Sequence, residues 1–133
     1  MTFVSRWQTE ILGALRIMAS LLYTQHGMNK LLGYPLREGQ DFEFPEIGSL
    51  RLVSGILELF GGPLIALGIF TRPLAFLMSG HMALAYFFGH APASFFPYLN
   101  GGDASILYCF IFLLIAAAGP GAWAIDNKLG GKK

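Results

Sequence analysis

Apolar residues run through this chain in four blocks, and ionisable side chains interrupt nearly all of them. The blocks cover residues 10–32, 49–70, 73–89 and 103–124. Each is close to the 17–25 or so residues that a spanning helix needs. The pattern predicts an all-α protein, an integral membrane four-helix bundle forming one transmembrane domain over residues 1–133. The connections are also legible. Segment 33–48 holds Pro35, Gly39, Pro45 and the acids Glu38, Asp41, Glu43 and Glu46. Thr71-Arg72-Pro73 reads as a tight turn, with Pro73 at the first position of the third helix. Segment 91–102, with Pro92, Phe95, Phe96, Pro97 and Tyr98 before Asn100-Gly101-Gly102, is expected to lie at the interface and fold back. Gly119-Pro120-Gly121 should bend or end the fourth helix, leaving Trp123 in an interfacial segment.

Helical periodicity sorts the polar groups onto faces. Arg16, Ser20, Tyr23, Gly27 and Lys30 fall in one sector of the first helix, flanked by His26. Arg51, Ser54, Gly55, Glu58 and Gly62 share a face of the second. Gly48, Gly55 and Gly62 recur every seven residues there and invite close approach of a neighbouring backbone. Glu58 lies near the middle of its span, where a charge costs roughly 2.5–3.5 kcal/mol. Its expected neighbours are Arg16, Arg51 and His26. On the third helix Ser79, Tyr86 and His90 point inward and His81 points away. Asp103 opens the fourth helix, with Asn100 as its cap. At 1.5 Å per residue, His26 stands about 7 Å outward of centre, and Lys30, Arg51, His90 and Asp103 about 12–15 Å outward.

Composition narrows the class. The 133 residues are 54% hydrophobic and 13% charged, against about 25% charged in a soluble domain. A net charge of +1, with no basic stripe, gives no basis for nucleic-acid binding. One cysteine, Cys109, excludes an internal disulfide or a CxxC redox pair. Arg16 interrupts the first apolar block and no A-x-A site follows, so the segment reads as retained rather than as a cleaved signal. Arg6, Arg72, Lys128, Lys132 and Lys133 fall on one side, and Lys30 and Arg37 on the other. The expectation is a plasma (inner) membrane protein with both termini cytoplasmic.

Several elements together resemble the DoxX family of small four-helix membrane proteins. They are Arg16, His26-Gly27-x-x-Lys30, Gly55-Ile-Leu-Glu58-Leu-Phe-Gly61-Gly62, Leu67-Gly68-Ile-Phe-Thr71-Arg72, Ala85-Tyr86-Phe87 with His90, and Asn100-Gly101-Gly102 before an acid. The resemblance covers nearly the whole chain. One departure is Asp103, where glutamate is expected in many relatives. The family takes its name from a terminal-oxidase-associated subunit, and related proteins belong to an archaeal thiosulfate:quinone oxidoreductase. The resemblance therefore implies a subunit of a redox-linked membrane complex, at most part of an oxidoreductase. Its polar pocket would bind quinone or relay protons. Glu58 would accept the proton, and His26 and Tyr86 would hydrogen-bond the headgroup. Lys30, Arg51, His90 and Asp103 would form the mouth, and Arg16 and Asn100 a structural polar network. Partners are the bilayer and other membrane subunits or further copies of this chain. No metal is assigned, because His, Asp and Glu do not converge at short spacing. Haem would require His26 and His90 as axial ligands. Two competing readings are an assembly subunit without chemistry of its own and a small-solute transporter.

Overall fold

The computed structural model describes residues 2–130. Lys132 and Lys133, which entered the charge count for orientation, lie outside the described residues. Every regular element among those residues is helical. Four long helices dominate: α1 (Gln8–Leu32), α2 (Leu50–Leu67), α3 (residues 71–90) and α4 (Asp103–Ala118). Short helical turns precede α1, fill part of the α3–α4 connection and follow α4 at Ile125–Gly130.

Local sequence explains the boundaries. Ser49 caps α2, its hydroxyl accepting from the Leu52 amide at 3.2 Å. Gly33 and Gly68 end α1 and α2 in the left-handed conformation, the usual glycine stop. α2 therefore ends at Leu67, before the expected residue 70, and α3 starts at Thr71 with Pro73 two positions further in. Gly119-Pro120-Gly121 ends α4 at Ala118. The chain then folds back, and Ala122 donates its amide to the Thr9 carbonyl at 2.9 Å.

Two helices widen into a π turn, α2 at Leu57–Gly61 and α3 at Tyr86–His90. Each turn ends two residues before a proline, Pro63 and Pro92. A proline ring clashes with the carbonyl four residues back and has no amide to offer it. Here those carbonyls belong to Leu59 and Phe88, inside the widened turns. Glu58 therefore sits on a π turn, a feature found mostly as single-turn bulges and often at functional sites.

α1 packs closely along α2, and α3 along α4. Tyr23, Ile65, Ala75, Met78, Met82, Phe112 and Ile115 form the shared core. Gly27 sets the α1–α2 spacing, since a Cβ there would overlap Gly55 O, Glu58 Cβ and the Leu59 amide. Gly55 and Gly62 serve the same contact from α2, against Leu31 and Thr24, but Gly48 lies in the loop with open space around it. Polar groups share the interior with this core, and large apolar groups cover the surface. Arg16, Ser20, Glu58 and Thr71 are buried, while Phe76, Phe87 and Phe110 face outward.

Of the four helices only Leu50–Leu67 is by itself long and apolar enough to cross a membrane. α1 carries Glu10, Arg16 and Lys30. The 16 residues of α4 extend about 24 Å.

Gly27→Ala should force α1 and α2 apart and cost about 1–3 kcal/mol. Gly80→Ala, at a helical position with open space, should be neutral or stabilising by up to about 1 kcal/mol. Thermal unfolding of the two variants in one detergent checks the contrast.

Candidate functional site

Glu58 is 2% exposed, and its partner is Lys30. The Lys30 ammonium donates to Glu58 Oε1 and Oε2, both at 2.8 Å, and to Ser54 Oγ at 2.8 Å. Lys30 is the more open partner, its side chain 26% exposed. From Ser54 the chain of contacts runs inward. Ser54 Oγ lies 3.3 Å from Glu58 Oε1 and 2.9 Å from His81 Nε2. His81 Nδ1 lies 2.7 Å from Tyr23 Oη, which is 2.9 Å from Met78 Sδ. Three helices thus supply one run: Lys30, Glu58, Ser54, His81, Tyr23.

Proton counting orients the run. Tyr23 has one hydroxyl hydrogen, and an imidazole nitrogen is a better acceptor than a thioether. With Tyr23 donating to His81 Nδ1, Nε2–H donates to Ser54, whose hydroxyl is then free to donate to Glu58. Every donor points toward the carboxylate. A proton on Glu58 frees the Ser54 hydroxyl to turn.

Some expected site residues lie elsewhere. Arg16 is fully buried, yet it stands fourteen residues, about 21 Å along α1, from Lys30. It donates through Nη1 to Pro120 O at 2.6 Å and through Nη2 to Trp123 O at 3.3 Å. Its role is to hold the segment after α4. Arg51 is exposed and makes no polar contact among the described residues. It does not share the inner face with Glu58. His26 is exposed and meets Tyr108 edge-on, with ring centroids 6.2 Å apart.

Tyr86, His90 and Asn100 form a second cluster. Asn100 Nδ2 donates to Tyr86 Oη at 3.2 Å and to Ser94 O at 3.0 Å, and His90 Nδ1 lies 3.0 Å from Asn100 O. Asn100 Oδ1 accepts from the Gly102 amide at 2.8 Å. Asn100 thus braces the loop, while Gly102 occupies the cap position of α4. Asp103 is exposed.

His81 is the reverse case, since it points into the site. α3 is buried on two sides: Ser79 bonds Cys109 O on α4 at 2.8 Å, while Met78 and His81 meet α1 and α2. The π turn at Tyr86–His90 also shifts His90 out of phase with Ser79, so a straight-helix projection does not hold at that end. Tyr23 and Ser54 were visible as members of the α1 and α2 polar stripes. Their junction through His81 has no signal in spacing.

At the Arg16 end, Asp126 caps α3. Its carboxylate accepts from the Phe70 amide at 3.0 Å and the Thr71 amide at 2.8 Å. Burial alone would raise this carboxyl, but hydrogen bonds from Thr71 and Phe70 and the nearby Arg16 charge hold it below its ordinary value.

An all-helical protein with ionisable groups buried beside an apolar core, and large apolar side chains on its surface, is the class that these features define. The chain belongs to the DoxX family, whose model matches residues 11–91. It is 37% identical to an uncharacterized protein of Haemophilus influenzae over 132 residues, covering 96% of this chain and 97% of the relative. It is 32% identical to the inner membrane protein YqjF of Escherichia coli over 123 residues, covering 88% and 90%. It is 29% identical to the uncharacterized membrane protein Rv3486 of Mycobacterium tuberculosis over 131 residues, covering 86% and 78%. No solved structure matches the chain. Two of these relatives are named as membrane proteins, and the family membership implies association with a lipid bilayer.

Two outcomes follow. Lys30→Met leaves the Glu58 carboxylate buried without its cation and should cost about 3–5 kcal/mol. Adding Glu58→Gln should recover part of that loss, as a double-mutant cycle on thermal stability would show. Because the folded pKa of Asp126 is depressed, its stabilisation is complete above the ordinary carboxylate value of about 3.9. It is lost as pH falls through the lower folded value. Asp126→Ala should cost about 1 kcal/mol near neutral pH, the worth of a helix cap, and flatten that acid limb of the melting curve.

Proposed function

We propose that the chain is a four-span integral membrane bundle serving as a proton-accepting subunit of a redox-linked membrane complex. The observation that carries this reading is the unbroken run from Lys30 through Glu58, Ser54 and His81 to Tyr23. An apolar protein gains little stability from such a run compared with well-packed hydrocarbon, so its presence favours use. The large apolar side chains on the surface support four spans, with charged groups on α1 and α3 turned inward or toward the ends.

His26 and Lys30 are one turn apart on α1, and Lys30 is the open end of the run. A quinol-class headgroup approaching from the lipid would meet His26 and Lys30 first and have Glu58 behind them as acceptor for its hydroxyl proton. Electron transfer belongs to partner subunits in this reading. Tyr86 and His90, held by the Asn100 loop, take no part. The plasma (inner) membrane, with both termini cytoplasmic, is the location and orientation proposed.

A structural role is the second reading. Lys30 and Glu58 satisfy each other and tie α1 to α2, which an assembly subunit would also need. The transporter reading receives less support, because the run ends at the fully buried Tyr23.

The test is purification in mild detergent with any co-purifying subunits, followed by quinol-dependent turnover and binding of a quinone analogue. Glu58→Gln should cut turnover about a hundredfold or more, the usual contribution of a positioned proton acceptor. Loss of stability with unchanged turnover per folded complex would favour the assembly reading instead.

A further inference from the structure

A groove of about 430 Å³ runs between α3 and α4 at the Arg16 end of the molecule, far from Glu58. Pro73, Phe76, Leu113, Ala116 and Ala117 line it, and Arg72 is its one charged neighbour. Its volume falls within the roughly 300–1,000 Å³ of small-ligand sites. Phe76 is 67% exposed and Leu113 41%, so the walls are open hydrocarbon.

Arg72 is held in place at the mouth. Nη1 donates to Ala116 O at 2.9 Å and to Ala117 O at 2.6 Å, and Nη2 reaches Ala118 O at 3.4 Å. These carbonyls form the negative end of α4 and use both Nη1 hydrogens. The adjoining edge, Nε–H with the second Nη2–H, has no protein acceptor among the described residues. That edge is the planar fork that binds two oxygens of a phosphate or carboxylate. A Cβ at position 119 would stand 3.0 Å from Nη2 and 3.6 Å from Nε. Gly119, whose φ of 103° itself favours glycine, keeps a side chain off the fork. Among the described residues the one ion pair joins Lys30 to Glu58, so no carboxylate neutralises Arg72.

We infer that this groove binds one anionic phospholipid, with its phosphate on the Nε–Nη2 edge of Arg72 and an acyl chain along Phe76 and Leu113. The inference rests on the bilayer reading given above. A fixed cation at one end and hydrocarbon walls beyond it match the two halves of that molecule. Arg6 and Lys128, exposed near the chain ends, fall on the same side by the orientation proposed above. Anionic lipid is drawn to basic groups at the cytoplasmic surface.

Native mass spectrometry of the intact protein with phosphatidylglycerol and phosphatidylcholine of matched chains tests the site. The wild type should retain one phosphatidylglycerol in preference to phosphatidylcholine. Arg72→Gln should lower that preference about tenfold, the loss expected of one charge-assisted fork. Ala117→Trp fills the groove while keeping the arginine and should do the same, so it decides the matter if Arg72→Gln fails to fold. Lys128→Gln should change nothing, and glycerol phosphate, a headgroup without chains, should not compete. Unchanged retention in Ala117→Trp overturns the inference, as does displacement by glycerol phosphate, which would mark a free-anion site. Alkaline extraction separates the two levels. Protein released from membranes sinks the bilayer reading, whereas protein retained without lipid preference sinks this site alone.

Discussion

The contact between Lys30 and Glu58 governs the architecture around it. A carboxylate that is 2% exposed needs a cation within hydrogen-bond reach, because removing a charge from water costs several kcal/mol even after relaxation. Lysine supplies that cation only if its helix comes very close. Gly27, one turn before Lys30, allows the approach by letting α1 rest on the Gly55–Leu59 backbone. The π turn at Leu57–Gly61 lies in the same stretch. Pairing, glycine packing and helix widening are therefore three aspects of a single contact, and a change to one is felt by the others.

The opposite end of α1 meets the same requirement in another way. Arg16 has no carboxylate within ion-pair distance among the described residues and instead takes the Pro120 and Trp123 carbonyls of the segment after α4. Arg72 likewise takes the last carbonyls of α4 itself. Helix ends leave carbonyls without intrahelical partners, and the glycine-proline-glycine stop places those of α4, with the carbonyls that follow, within reach of the buried Arg16 and the exposed Arg72. Asp126 completes the arrangement from the other sign, capping the amides at the start of α3. The segment after α4 thus joins three helix ends through backbone polar groups, with Ala124 buried against Gly68.

Much of this was legible in the sequence because it depends on local rules. Glycine and proline marked where helices stop, and the seven-residue recurrence of Gly55 and Gly62 marked the α1–α2 seam. The α1 stripe named Arg16, Tyr23 and Lys30 as inward. What spacing could not supply was which inward residue meets which. Arg16 and Lys30 lie on the same face, and only tertiary depth separates the one that grips the α4 terminus from the one that pairs with Glu58. His81 was hidden for a further reason: a helix packed on two sides has two inner faces, and Ser79 marks only the one toward α4. Arg51 was misplaced by trusting a shared face at the first turn of α2, where the side chain is free to reach outward.

The polar run has only one open end, which limits what it can do. Lys30 is a quarter exposed, whereas Tyr23, at the inner end, is fully buried against Met78 and Phe112. A conducting path needs exchange at both ends. A run closed at one end can take up a proton, hold it and return it by the way it came. Because each donor is oriented toward Glu58, the carboxylate is the terminal acceptor of the run. That one-ended arrangement suits the proton acceptor proposed above better than it suits a conducting path.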